Sequence, residues 1–180
     1  MLTILPALLA ASQLAALPAP ASSVCSAVDV VAPQQKKATK KKKFSAKKTL
    51  DLELRTRLKG VRRLSGEHLL HLKLYTPRGY LYQTITVPFY RKPRKAEKPH
   101  PEDLKFEPVR VVPGFPRALD VQKTKRARKG RKRYDTVTAR LPVAGTSITL
   151  GSLFGRWTVV PFLDNETAPC GRSRRFRIRE

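Results

Sequence analysis

The first 35 residues contain no lysine and no arginine, although the chain of 180 residues carries 38 of them. An organelle transit peptide usually needs arginines, so that absence speaks against one. Acids are scarce as well. Thirteen are spread over the chain with no paired-carboxylate signature. No glycine-rich loop of Walker or dinucleotide type occurs. Nine glycines stand against fifteen prolines, and proline removes a backbone donor and clashes inside helices, which excludes a long-helix protein. No amphipathic helix of useful length is visible after the leader. Cysteine is limited to Cys25 and Cys170. In an oxidising compartment these either pair, tying the tail to the C-terminal part of the domain, or remain two unconnected thiols.

What is present divides the chain. Residues 2–17, LTILPALLAASQLAAL, have the apolarity of a signal-peptide core and fall short of the ~20 residues a membrane span requires. Ala19 and Ala21 place small residues where a signal peptidase reads, so residues 1–21 are expected to be a signal peptide cleaved after Ala21. No basic residue precedes the apolar run, and the amino terminus alone supplies its positive charge. Residues 22–48 read as a lysine-rich disordered linker. Ordered structure is expected from about Thr49 to the end.

Two basic runs stand out. The first contains Lys36, Lys37, Lys40, Lys41, Lys42, Lys43, Lys47 and Lys48. The second contains Lys123, Lys125, Arg126, Arg128, Lys129, Arg131, Lys132 and Arg133. Like charges at this density repel, so both runs are expected to be mobile arms that attract polyanions. The second run closes a basic, proline-rich insertion over residues 90–134, which holds six prolines.

Strand signals fill the rest. Leu50, Leu52 and Leu54 alternate with Asp51, Glu53 and Arg55, the period of a half-buried strand. Leu70, Leu72 and Leu74, then a turn at Thr76-Pro77-Arg78-Gly79, then Leu81, Ile85, Val87 and Phe89 predict a β-hairpin over about residues 67–89. Short pieces within 106–112 and 119–121 are further strand candidates. Val137, Ala139 and Leu141 alternate with polar neighbours, and residues 153–163 and 175–179 add two more strands. Six or seven short strands with turns between them fit a mostly β fold, a single small β-sandwich.

The segment GRWTVVPFLDNETAPCGRSRRFRI resembles the closing hairpin of immunoglobulin-like modules in exported bacterial proteins. The matching residues are Gly155, Trp157, Asp164, Asn165, Phe176 and Ile178. The Cys-Trp-Cys arrangement of antibody domains is absent, so the likeness does not extend to the immunoglobulin family proper. It implies an immunoglobulin-like sandwich with a binding or spacer role and no catalysis.

No constellation of catalytic residues emerges. His68 and His71 lie three apart and so point to opposite faces of a strand, where they cannot share a metal. Neither cofactor nor metal is expected, and the chain reads as non-enzymatic. The functional expectation is an exported module whose cationic arms engage an anionic polymer (acidic polysaccharide, lipid headgroups or nucleic acid) or an acidic protein. The alternative is an intracellular nucleic-acid-binding or ribosome-associated protein whose leader is only an Ala/Pro-rich tail. Asn165-Glu166-Thr167 also fits a glycosylation acceptor.

Overall fold

A period of two decides which side chains leave water. In strand β3 (Asp51–Leu58) Leu52, Leu54, Thr56 and Leu58 are buried, whereas Glu53, Arg55 and Arg57 face outward. The same rule buries Val137, Ala139 and Leu141 in β10 (Lys132–Pro142) and Phe176 and Ile178 in β12 (Arg174–Arg179). The computed structural model describes residues 24–35, 42–59, 64–93, 101–129, 132–164 and 167–180. The expected signal peptide, Lys36, Lys37, Lys40, Lys41, Arg131 and the Asn165-Glu166 part of the glycosylation acceptor lie outside the described residues.

The fold is mostly β. The remaining strands are β1 (Cys25–Val31), β2 (Lys43–Ser45), β4 (Gly66–Tyr75), β5 (Leu81–Arg91), β6 (Val109–Arg110), β7 (Leu119–Asp120), β8 (Gln122–Lys123), β9 (Lys125–Lys129) and β11 (Gly155–Leu163). One short helix, α1 (Ser147–Leu150), is the only α-helix among the described residues. One sheet has the order β1-β3-β10-β9 and the other β2-β12-β11-β4-β5-β8, while β6 and β7 form a small separate ribbon. Side chains from both large sheets form one apolar cluster. Trp157 lies at its centre, fully buried. Tyr82 meets it edge-on at 5.2 Å, Phe176 stacks at 6.4 Å, and its indole N–H donates to the Leu153 carbonyl at 2.9 Å.

The structure corrects three expectations. The segment 22–48 is not uniformly a linker. Cys25–Val31 is a strand paired antiparallel to β3, with Val28 and Val30 buried, and Lys43–Ser45 pairs parallel to β12. Sheet structure therefore begins at Cys25 rather than near Thr49, because β3 offers an open edge that these short apolar residues complete. The basic insertion over 90–134 holds β6 and β7 within the two strand pieces expected there, but its basic end is sheet as well: β8 and β9 lie in it, and Lys125–Lys129 pairs with Lys132–Thr136. Lastly, Leu81 is 54% exposed instead of facing the core with Ile85, because a register shift between Leu74 and Tyr75 turns Tyr82 inward in its place.

Cys25 and Cys170 form a disulfide. The Cys25 N–H donates to the Cys170 carbonyl at 2.8 Å, and Gly171 bridges to Cys25 beside it. A Cβ on Gly171 would collide with the Cys25 carbonyl oxygen, so only glycine permits this approach.

Candidate functional site

The outward residues of the four-stranded sheet make a polar, cationic face. Strand register sets Asp29 and Thr138 on either side of Arg55, and Ala27 and Thr136 on either side of Arg57. Two of the arginines are partly neutralised from within. Arg55 donates through Nε and Nη2 to Glu53 Oε2 at 2.9 and 2.6 Å, and Arg57 pairs with Asp29. Arg57 also lies over the Tyr134 ring, 5.1 Å from its centroid. The face is hollowed into a groove of about 740 Å³, lined by Arg55, Arg57, Tyr134, Thr136 and Arg140 among others.

Lys42 and Lys125 line the same groove. They come from the two separate basic runs, so folding joins what the sequence keeps apart. The other predicted cations are distributed differently. Lys43 lies in β2, and Lys47 and Lys48 in a 3-10 turn over Ala46–Lys48, where Lys47 pairs with Glu180 at 3.4 Å. Lys123 rests in β8 with its ammonium 4.0 Å from the centroid of the Phe106 ring. Arg126 is exposed in β9, where the register sets it opposite Asp135. Arg128 stands opposite Arg133, and Lys129 opposite Lys132. The second run is thus a sheet edge and not the loose arm expected of it. Where β9 stops, Gln122 continues the edge: its amide donates to the Thr138 carbonyl at 3.2 Å and accepts from the Thr138 N–H at 2.7 Å.

Arg55, Arg57, Tyr134 and Arg140 were missed as site residues. Their outward positions follow from the strand alternation, but their convergence depends on the pairing of β10 with β3, which β1 and β9 flank on either side. Among the described residues, no group of three His, Cys, Asp or Glu side chains comes together to hold a metal, and no helix is long and apolar enough to cross a membrane.

The two histidines of the 67–89 hairpin have separate partners. His68 Nδ1 lies 2.9 Å from Asp164 Oδ2, and the Leu69 N–H donates to Asp164 Oδ1 at 2.8 Å. His71 Nδ1 lies 2.9 Å from the Thr86 hydroxyl. Burial alone would raise the Asp164 carboxyl, but the bonds from His68 and Leu69 and the charges of His68 and Arg110 outweigh it, holding the group below its ordinary 3.8. Burial, the largest influence on His71, lowers its pKa below 6.5. Lys73 adds to that, and Asp164 opposes it. Both folded values are depressed, so both groups contribute stability that is present above their unfolded pKa and lost as pH falls through the folded one. Thermal melts should therefore weaken below about pH 6.5 through His71 and below about pH 3.8 through Asp164. H71Q should flatten the upper part of that decline and D164N the lower part. Variant profiles parallel to wild type at every pH would contradict the assignment.

Comparison with known proteins brings no match: the chain fits no family model and is similar to no curated protein or solved structure.

Proposed function

We propose that this chain is an exported, non-enzymatic binding module that engages anionic polymers of the cell envelope or matrix, with an immunoglobulin-like β-sandwich as its rigid base. The observation that carries this reading is the meeting of Lys42 and Lys125, one from each basic run, in the groove with Arg55, Arg57 and Arg140. Three cations there exceed the two acids, Asp29 and Glu53, that pair with the others. The formal charge of +25 extends the attraction beyond the groove. The Cys25–Cys170 bond supports export, since disulfides persist in oxidising compartments.

Retention on heparin and single-stranded DNA columns under rising salt tests the proposal. A K125Q/R140Q variant should elute at lower salt than wild type. Each lost phosphate contact should make the salt dependence of log K shallower by about 0.7 on single strands, so the double variant by about 1.4. Co-elution of wild type with a variant neutralised in both runs would overturn the role given to these cations.

Tyr134, the one aromatic among the lining residues, favours the second reading, an intracellular nucleic-acid binder, because aromatic rings stack bases. The amino terminus of native protein separates the two: Ser22 supports export, and Met1 or Leu2 supports the alternative.

A further inference from the structure

We propose that the end of the fold opposite the disulfide is a docking tip for the surface of an anionic phospholipid bilayer. The proposal concerns a surface separate from the groove and does not depend on polymer binding there.

Three loops meet at this end. The Thr76–Tyr80 turn abuts the start of β11, where a Cβ on Gly155 would lie 2.8 Å from Pro77 Cβ. Tyr82, just past that turn, holds Ser147 of α1 by a 2.7 Å hydroxyl bond. The N–H groups of Val143 and Ala144 both donate to the Leu50 carbonyl, at 2.8 and 3.2 Å. Large apolar side chains project from each loop. Leu150 is 80% exposed, Tyr80 71%, Leu50 64% and Leu81 54%.

These positions are fixed by packing. In α1, Thr146 caps the first turn by accepting from the Ile148 N–H, and Ile148 is fully buried. Burial of Ile148 leaves Leu150, two residues on, pointing into solvent. An apolar side chain held in water by an anchored neighbour gains from any apolar layer that receives it.

The charge around the tip selects the kind of layer. Lys47, Lys48 and Arg78 are exposed on the loops themselves. On the adjoining outer face of the six-stranded sheet, Lys43 pairs in register with Arg177 and Arg177 with Arg156, so three exposed cations stand in one row across three neighbouring strands. Cross-strand like charges repel, and among the described residues no carboxylate forms an ion pair with any of the three. Glu180, which pairs with Lys47, and half-buried Asp51 are the acids at this end. The remaining exposed apolar residues, Leu104, Val109, Val111 and Phe115, sit instead in a segment of mixed charge, where Glu102, Glu107 and Asp120 offset Lys105, Arg110 and Arg117.

Apolar tips beside cations match one partner well. A bilayer with acidic lipids offers an apolar layer a few ångströms below a plane of phosphates, and cationic side chains near that plane are held by its surface potential. A hydrated polymer has charge but no such layer, so it leaves Leu150 and Tyr80 in water.

The test uses the full chain with large unilamellar vesicles of phosphatidylglycerol and phosphatidylcholine, against phosphatidylcholine alone. Wild type should partition at least tenfold more strongly onto the acidic vesicles. Y80S/L150S should lower that partition about tenfold at a salt concentration that suppresses simple charge attraction. Both replaced residues are exposed, so the melting temperature should hold, and heparin retention should be unchanged. L150W places a reporter at the tip. Its emission should shift to the blue on acidic vesicles and be quenched by brominated acyl chains, and K125Q/R140Q should leave that shift intact. The proposal fails if L150W emission does not move while the protein is vesicle-bound, or if Y80S/L150S partitions like wild type. It also fails if neutral vesicles give the same shift, or if sedimentation shows Leu150 buried between two copies of the chain.

Discussion

Replacing Asp135 with alanine is expected to destabilise the fold by about 3–5 kcal/mol, because the substitution strands a buried guanidinium. Arg91 is 1% exposed and Asp135 2%. Nε of Arg91 donates to Asp135 Oδ2 at 2.9 Å, and Nη1 donates to the Leu64 carbonyl at 3.2 Å. The pair joins β5 in one sheet to β10 in the other, across 44 positions of sequence. A small domain has a total stability of about 5–15 kcal/mol, so a loss of this size is a large part of the whole. The native pair does not stabilise by the same amount, since taking both charges out of water offsets most of their attraction. The double variant R91M/D135L, apolar at both positions, should therefore recover most of the stability lost by D135A. Urea unfolding of the three variants, compared at equal m-value, measures both effects. A loss below about 1 kcal/mol for D135A would contradict the buried-pair assignment.

Reduction of the Cys25–Cys170 bond should cost about 2–5 kcal/mol. The crosslink spans 145 positions, and constraint on the unfolded chain grows with the length enclosed, which places the chain-entropy value near the top of that range, at about 5 kcal/mol. The loss should be felt first at β1. That strand lies at the edge of its sheet, paired along one side to β3, and its first residue is fastened by the disulfide and by the backbone bond to Cys170. Thermal melts with and without reductant, together with C25S/C170S, provide the measurement. Identical melts for protein whose thiol titration changes from zero to two on reduction would refute the expectation.

The legible part of this fold is the part written in local alternation. The 67–89 hairpin corresponds to β4 and β5, and the Leu52/Leu54 pattern to β3. The inward Phe176 and Ile178 of the last strand also follow from period two. What escaped depends on partners far away in sequence. β1 reads as part of a linker until β3 is placed beside it. β2 has three residues and gains order only from β12, which lies more than a hundred positions later. β9 offers no apolar alternation at all: its residues, KRARK, are held by backbone bonding to β10. Charge repulsion suggested an arm, and hydrogen bonding to a neighbouring strand prevailed.

The candidate site divides in the same way. The density of the two basic runs was evident, whereas the common groove of Lys42 and Lys125 required the order β1-β3-β10-β9 together with the fastening of Lys42, whose carbonyl accepts from the Arg177 N–H of β12. The Arg91–Asp135 and His68–Asp164 pairs join residues 44 and 96 positions apart, and no spacing rule links them.

Gln122 has a consequence for how these molecules behave in a crowd. An amide side chain that fills both hydrogen-bonding groups of Thr138 denies them to any neighbouring copy in search of a strand to extend. A single flexible residue thus acts as a stopper on a rim that would otherwise template stacking from molecule to molecule, and it does so without lengthening the sheet.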